Sequence, residues 1–473
     1  MDNTKDMILS LFNLEDTDVE DISFRNLNNE AAANILLRAD YPPCPDCGCT
    51  HPQIKGYTLK RINHGLLSDR KCVLFYNARR YRCPICHHTY YEHNPFVYGS
   101  MKISAMTVNN ILRDLKNYNE TFSSVAARYH ISPTSAASIF DQHVVMARDV
   151  LPEIECWDEA YAFHNYGENS KFVFTILDFR TQNPADILPS RSKEYLEAYF
   201  SKIPNAERTK VKMISTDMYG PYRSVIHDMF PGAIHCIDHY HVTQEMGRET
   251  DAVRIRVMKS FPKYIKGTKK TTDEYYLLKK FNWLIFKRQD AKDKDNKLLF
   301  DPDRERKMNQ KLGKLMNYYD IKQQIERLHP DLEAAWRLKD GLTDFYTDND
   351  YKTAPKALDD YIYRLRRSNV REMNQFANTL RNWREEILNS FIVVKQTMRV
   401  DKDTGQVVVS DHRINSGIME NRNSILKCIK KNANGYSNWE RFRNRCLYVL
   451  RKDALPLLNP IKIPAKRKKE ENK

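Results

Sequence analysis

The sequence lacks a long apolar segment, which excludes one class of protein. None of its apolar runs approaches the roughly 18 to 20 residues that a helix needs to span a bilayer. Its start, MDNTKDMILSLFNLEDTDVED, is acidic and lacks the basic-then-apolar layout of a signal peptide. We therefore expect a cytoplasmic protein with no membrane partner.

Acidic residues are also fewer than basic ones. The chain has 61 Asp and Glu against 76 Lys and Arg, which gives a formal net charge of +15. A basic surplus of this size attracts polyanions, and with membrane set aside the expected partner is nucleic acid. At 473 residues the chain is too long for one compact core, so we expect about three domains.

The residue pattern changes several times along the chain and divides it into segments. Residues 243–390 are charged, aromatic and helical in spacing, and they contain no repeat of fixed period. The expected segments are a helical start (1–40, with EAAANILLRAD its clearest part), a metal-binding domain (41–99), a helical domain (100–150), alternating strands and helices of an α/β core (151–242), the helical block (243–390), two strands around a Thr404-Gly405 turn followed by helices (391–455), and a solvated basic tail (456–473).

Four of the ten cysteines form two CPxC pairs, Cys44 with Cys47 and Cys83 with Cys86. Without an export signal, such pairs indicate metal ligands rather than disulfides. Two tight knuckles bring four thiolates to one Zn²⁺ and leave no open position, so we expect one structural zinc ion. The long gap between the pairs requires a β-excursion. The two histidines after the second pair are expected at the surface, although either could replace a thiolate.

The stretch TFSSVAARYHISPTSAASIFDQHV, from Thr121 to Val144, predicts two short helices. Ser132 is placed to cap the second helix, and Pro133 suits its first position. The pattern is typical of a helix-turn-helix, although any small helical hairpin could share it. In a helix-turn-helix the second helix lies in the major groove of DNA. The side chains then expected near bases or phosphates are Thr134, Ser135 and Ser138.

Three acidic residues from distant parts of the chain suggest a metal site. Asp158 lies on the first strand of the α/β segment, Asp217 ends a later strand, and Glu420 lies on a helix that can cross the same face. Singly, each could be a helix cap or an ion-pair partner. Together they could hold two Mg²⁺ or Mn²⁺ ions about 3.5 to 4 Å apart, which promote in-line phosphoryl transfer.

Two further acidic residues must be compared with the predicted metal ligands. Asp178 ends the strand FTILDF and is an alternative to Asp158, which we prefer because it lies on the first strand. Glu159 points to the opposite sheet face if the strand is regular, so we do not expect it at the metal.

These motifs together carry a family resemblance. Over nearly its whole length the chain resembles the DDE transposases of bacterial insertion sequences, most closely the ISL3 family. The shared motifs are the CPxC knuckles, the helix-turn-helix, WDEAYAF, STDMYGPY, IDHYHV and MENRNSILKCIKKNANGYSNWERFRNR. The resemblance implies an α/β catalytic core of the RNase H-like type, interrupted by a helical insertion and preceded by a zinc-ribbon-like domain and a helix-turn-helix.

The resemblance also implies residue roles. It assigns the catalytic triad to the three carboxylates above, and the family's Asp-Glu pair matches the preferred first aspartate. Asp238 and His241 resemble an Asp-x-x-His signature that supports the site, and Lys427 resembles a lysine placed against DNA near the cut. The tryptophans of the helical block are expected in its core: Trp283, Trp336 and Trp383.

The leading hypothesis is an enzyme that binds the terminal inverted repeats of its element, cleaves the strands and joins the freed 3′-ends to target DNA. The resemblance implies at least a homodimer on double-stranded DNA, in the nucleoid of a bacterial cytoplasm. Two alternatives remain. One is a DNA-binding regulator derived from a transposase with an inactive core, and the other is a metal nuclease acting on RNA or recombination intermediates.

Overall fold

The computed structural model describes residues 9–10, 12, 14–27, 30–67, 70–163, 170–400, 407–414 and 417–461. The chain divides into two compact units. The first unit is Met1–Arg148 with Ser424–Lys473, and the second unit is Asp149–Asn423. Across the described ranges, no helix combines the length and apolar character that a membrane crossing requires.

The first unit begins with a five-stranded sheet. Its strands are β1 (Val19–Leu27), β2 (Glu30–Leu37), β3 (Gln53–Leu67), β4 (Arg70–Arg82) and β5 (Thr89–Tyr91). The order is β1-β2-β4-β3 with β5 also on β4, and only β2 and β4 pair in parallel. The long antiparallel pair β3 and β4 fills the gap between the cysteine knuckles, as the sequence predicts.

The prediction of helix in residues 1–40 is wrong for most of the described part of that segment. EAAANILL forms strand β2, which pairs with both β1 and β4. Its Ala31, Ala33 and Ile35 pack in the sheet core with Leu74 and Tyr76. Strand pairing on two sides and burial therefore outweigh the intrinsic helix preference of an alanine-rich run.

Three helices follow in the first unit: α1 (Ala105–Asp114), α2 (Phe122–Arg128) and α3 (Pro133–His143). The Thr121 side chain caps α2 in a reciprocal capping box with Ser124. Ser132 caps α3, and Pro133 occupies its first turn, so both local predictions are confirmed. The α2 and α3 helices are thus joined by a turn of four residues.

The second unit contains a mixed sheet. Its strands are β6 (Ile154–Ala160), β7 (Val173–Asp178), β8 (Pro184–Leu188), β9 (Met213–Thr216) and β10 (Ile234–Ile237). The order is β10-β9-β6-β7-β8, in which β6, β9 and β10 are parallel and β7 is antiparallel to both neighbours. Strand β8 is not indicated by the sequence pattern, because this edge strand is five residues long and begins with a proline.

The alternation of side chains along β6 separates two faces of this sheet. Three helices connect strands of this sheet: α4 (Lys193–Phe200), the short α5 (Asn205–Arg208) and α6 (Gly220–Met229). Trp157 faces a core that contains Phe200 of α4 and Tyr222 of α6. Cys156 faces the opposite core, which Ile414 and Met419 complete. Because the strand period is two, Asp158 belongs to the Cys156 face.

A helical block follows the sheet and builds its own core. Its elements are α7 (His239–Ser260), α8 (Asp273–Lys280), a 3₁₀ helix (Asn282–Phe286), β11 (Lys307–Asn309), β12 (Lys314–Met316), α9 (Tyr318–Leu328), α10 (Pro330–Asp348), α11 (Ala354–Arg367), α12 (Arg371–Asn382) and α13 (Arg384–Asn389). Trp336 and Trp383 are buried, as predicted. Trp283 is 37% exposed, because its neighbours Leu284 and Ile285 take the inward positions of the 3₁₀ helix.

The chain closes with a hairpin and two helices: β13 (Val393–Val400), β14 (Val407–Arg413), α14 (Gly417–Asn432) and α15 (Trp439–Leu450). The predicted Thr404-Gly405 turn lies outside the described residues, as does the tail beyond residue 461. Tyr448 of α15 joins the core formed by α1 to α3 in the first unit.

Candidate active site and metal centre

The four predicted cysteines come together in the first unit. The ligand atoms of Cys44, Cys47, Cys83 and Cys86 all lie within 4.8 Å of one another. The Sγ atoms of Cys44 and Cys86 are 3.5 Å apart, and so are those of Cys47 and Cys83. Thiolates that share one tetrahedral Zn²⁺ are separated by about 3.8 Å, given Zn–S bonds of about 2.3 Å. The cluster therefore fits a structural zinc ion.

The two knuckles have the same backbone design. The N–H of Gly48 donates to the carbonyl of Cys44 (2.9 Å), and the N–H of His87 donates to that of Cys83 (3.1 Å). Gly48 has a φ of +72°, and His87 occupies the equivalent left-handed position with a φ of +61°. A hydrogen bond from the Cys86 backbone lowers the pKa of the Cys83 thiol to about 6, which favours the thiolate.

Neither histidine after the second pair belongs to the ligand group. His88 Nδ1 lies 2.8 Å from Asp46 Oδ2, and His87 takes the turn position described above. The zinc would thus be held by cysteine alone, which leaves no position for substrate.

In the second unit, strand register brings three aspartates to one edge of the sheet. Cys156 and Ser215 are the last residues that pair between β6 and β9, and Asp158 and Asp217 each follow two residues later at the same end of the sheet. Ile237 pairs with Thr216 between β10 and β9, which places Asp238 level with Asp217 as well. Neighbouring strands are about 4.8 Å apart, so Asp217 lies between the other two carboxylates.

The α14 helix approaches this edge at its first turns. Met419 is buried beside Cys156 in the same core, and Asn423 Nδ2 donates to Asp158 Oδ2 at 2.8 Å. Glu420 precedes Asn423 by three residues and therefore lies on the same side of the helix. Its side chain is exposed. Glu420, the predicted third carboxylate, is therefore one helical turn from Asn423, which contacts the first carboxylate, Asp158.

Burial perturbs the two central carboxylates. Burial, followed by the charge of Glu159, raises the pKa of Asp158 to about 7. The same two causes, in the same order, raise the pKa of Asp217 to about 7. The ionised form of each aspartate is therefore destabilised in the folded protein, and a bound cation would stabilise it.

Several oxygens near this edge have no hydrogen-bond donor among the described residues. They are buried acceptor atoms: Asp217 Oδ1, Asp238 Oδ2 and Asn423 Oδ1. A buried oxygen without a donor is costly unless a cation or solvent molecule satisfies it. Oxygen ligands of this kind suit Mg²⁺ and Mn²⁺.

Asp158, Asp217 and Glu420 do not form a compact one-ion site. Among the described His, Cys, Asp and Glu side chains, only the four cysteines form a group of three or more with ligand atoms within 4.8 Å. Carboxylates that hold a pair of ions about 3.5 to 4 Å apart would be distributed over both ions, so their ligand atoms would spread more widely than those of a one-ion site. Mutual repulsion of the anions acts in the same direction.

Comparison with known proteins identifies the family. A family model described as a transposase, of the DDE type and the ISL3 group, matches residues 158–398, just over half of the 473 residues. The chain belongs to the ISL3 family of DDE transposases. It is also 21% identical over 405 residues to the transposase for insertion sequence element IS1001 of Bordetella parapertussis, across 84% of this chain and 86% of that relative. The predicted family is confirmed.

The family match covers only part of the predicted site of this transposase. It begins at Asp158 and includes Asp217, Asp238 and His241, but it ends before Glu420. The roles of all these residues remain predictions.

The transposase's two competing acids lie elsewhere on the sheet, Asp178 at its other end and Glu159 on its opposite face. Asp178 lies opposite Glu155 in the register, three residues from Asp158 along β6, and its carboxylate accepts from the Arg180 N–H and the Thr181 hydroxyl. It therefore stabilises a turn at the other end of the sheet. Glu159 lies on the Trp157 face, where it accepts from Tyr222, so the prediction of its orientation is confirmed.

Asp238 and His241 lie where β10 passes into α7. Asp238 is fully buried and caps the helix by accepting from the Tyr240 N–H at 3.2 Å. Burial alone would raise the pKa of Asp238, but the hydrogen bond and charge of His239 outweigh it and lower the pKa. Burial lowers the pKa of His241, against the opposing charge of Asp238. Asp238 is one of the three aspartates at this edge, and His241 follows it on the first turn of α7.

The predicted DNA-contacting residues of the transposase are at its surface or half-buried. Thr134 and Lys427 are exposed, and Ser135 and Ser138 are half-buried on α3. Sequence reasoning missed Asn423, the residue that contacts Asp158 directly. Its spacing of three residues after Glu420 in MENRN was the signal that could have indicated it.

Proposed function

We propose that this transposase cleaves and joins DNA strands by two-metal phosphoryl transfer, with Asp158, Asp217 and Glu420 as the ion-binding carboxylates. The observation that carries the proposal is that Asp158 and Asp217 each follow by two residues the last residues paired between the parallel strands β6 and β9, Cys156 and Ser215. The strand order of the second unit, with its first strand central and three strands parallel, supports an RNase H-like core.

Each acidic residue has a distinct place in the proposed site. Asp217 is central and has a buried oxygen without a hydrogen-bond donor among the described residues, which suits an ion ligand. Asp158 is oriented by Asn423 and by the Glu159 N–H. Glu420 is exposed on the first turn of α14, where it would complete the ion ligands next to the DNA. When bound, the two Mg²⁺ ions would activate the attacking water or 3′-hydroxyl and stabilise the leaving oxygen.

The amino-terminal modules would supply recognition of the terminal inverted repeats. The four-cysteine cluster would be held by Zn²⁺, and α2 with α3 would act as a helix-turn-helix. Thr134, Ser135 and Ser138 would then face bases or phosphates. Lys427 is exposed on α14, two helical turns after Glu420, and would contact the DNA backbone. Because two ends must be joined together, we propose that the active form is at least a homodimer.

The proposal is tested by strand cleavage and transfer on DNA carrying the element's ends, with Mg²⁺ or Mn²⁺. Asp158→Asn, Asp217→Asn and Glu420→Gln should each reduce the rate by at least about a hundredfold, because each removes an ion ligand. Asp178→Asn is the matched control, since it changes the same chemical group at the other end of the sheet. End binding, measured by mobility shift, should be unchanged in all four variants.

Two results would contradict the proposal. Equal activity of Asp217→Asn and the native chain would exclude the carboxylate mechanism. Tight binding of the ends with no divalent-dependent cleavage by the native chain would favour a DNA-binding regulator with an inactive core.

A further inference from the structure

Glu159 is an acidic side chain beside the proposed site with a role that the mechanism leaves open. It lies on the sheet face opposite Asp158 and is only 12% exposed. Both of its carboxylate oxygens are used. The Tyr222 hydroxyl donates to Oε2 at 2.6 Å, and the Arg191 guanidinium donates to Oε1.

Both partners of Glu159 secure the segment that carries Asp217. Tyr222 lies on the first turn of α6, five residues after Asp217, and its ring is fully buried against Trp157. The Arg191 guanidinium lies between two aromatic rings, 4.2 Å from the centroid of Phe172 and 4.6 Å from that of Tyr219. Tyr219 in turn is the N-cap residue of α6, two residues after Asp217.

Burying a carboxylate at this position costs free energy that packing alone does not require. Glu159 adds a third negative charge next to two buried aspartates, which an uncharged residue of similar volume would avoid. Arg191 offsets part of that charge from the far side. The arrangement is explained if the two hydrogen bonds of Glu159, and not its volume, are what the site requires.

We infer that Glu159 is a positioning residue, which fixes Asp217 relative to Asp158 by tying residues 217–222 to strand β6. This inference rests on the proposed function, because the position of Asp217 matters only if both aspartates bind the same ion pair. Glu159 itself touches neither ion nor DNA. Its loss should therefore weaken binding of divalent ions without affecting recognition of DNA.

The test is Mn²⁺ binding to the full-length, zinc-loaded protein, measured by electron paramagnetic resonance of free Mn²⁺. Glu159→Gln and Tyr222→Phe should each weaken binding by about tenfold or more, as is typical when a group that orients a metal ligand is removed. Tyr222→Phe keeps the buried ring and removes only the hydroxyl. The double variant should be scarcely weaker than either single one, because the hydroxyl acts through Glu159.

Two controls isolate the positioning effect. Glu194→Gln makes the same charge change at an exposed site on α4 and should bind Mn²⁺ like the native chain. Mobility shift with end DNA should be unchanged in every variant. If Glu159→Gln proves too unstable to purify, Tyr222→Phe carries the test on its own.

The outcomes distinguish this inference from the proposed function. If the native chain binds Mn²⁺ no better than Asp217→Asn, the proposed function fails. If the native chain binds Mn²⁺ and Asp217→Asn does not, while Glu159→Gln and Tyr222→Phe bind as the native chain does, the positioning role is overturned. Tenfold weakening in both positioning variants, with Glu194→Gln unaffected, supports it.

Discussion

Replacing Asp217 with asparagine should make the metal-free protein more stable. Burial and the charge of Glu159 raise the pKa of Asp217 from 3.8 to about 7, so the folded protein holds this carboxylate at a free-energy cost at neutral pH. The full difference in pKa corresponds to about 4 kcal/mol. Local relaxation and partial access of water reduce this, and we expect a gain of about 1–2 kcal/mol.

The pH dependence of this gain follows from the sign of the shift. The pKa of Asp217 is higher in the folded than in the unfolded state, so the folded state binds more protons between pH 3.8 and about pH 7. Asp217 therefore lowers stability progressively as pH rises through this window. The gain from Asp217→Asn should be nearly complete at pH 8 and largely absent near pH 4.5.

Thermal unfolding of the second unit at both pH values measures the effect. A gain of 1–2 kcal/mol corresponds to about 2–4 °C at pH 8 for a unit of this size. Metal-free conditions should be reached by dialysis without a chelator, since chelators would also remove zinc. Adding Mg²⁺ should raise the melting temperature of the native chain and leave that of Asp217→Asn unchanged. A variant that is less stable than the native chain at pH 8, or equally shifted at both pH values, would refute the reasoning.

Three further results are expected. Cys83→Ser should reduce the zinc content from one equivalent to near zero, measured by a colorimetric assay, and should destabilise the first unit. Cys72→Ser, at a buried cysteine outside the cluster, should retain zinc. Equal zinc content in the two variants would contradict the site. His87→Gly should raise the free energy of unfolding in urea by about 1 kcal/mol, because the left-handed φ of +61° strains every residue except glycine, and no gain would show that the turn is unstrained. Asn423→Ala should slow strand cleavage about tenfold while end binding stays the same, since it removes the donor that orients Asp158; an unchanged rate would argue against that role.

Local chemistry made parts of the first unit predictable. Ser132 and Pro133 define the start of α3 wherever the helix lies in the fold, and a CPxC knuckle has its shape within six residues. Strand β2 was mispredicted because its pairing with β1 and β4 depends on residues far away in sequence. Helix preference is a weak guide when long-range pairing decides.

The candidate site was likewise predictable only in part. A strand that ends in an aspartate can be recognised from sequence, and parallel neighbours bring such ends together, so Asp158 and Asp217 could be placed at one edge. The approach of α14 could not be derived in this way. It depends on the packing of Met419 beside Cys156 and on the hydrogen bond of Asn423, which join residues more than 250 positions apart.

The wide separation of the site residues along the chain has a consequence for synthesis in the cell. Every strand of the aspartate sheet has been translated by Ile237, but Glu420 follows only after the whole helical block. A ribosome adds about 5 to 20 residues per second, so the third carboxylate emerges roughly 10 to 40 s later. Under the proposed mechanism, a growing chain can form its sheet early and still be unable to cut the chromosome beside which it is being made.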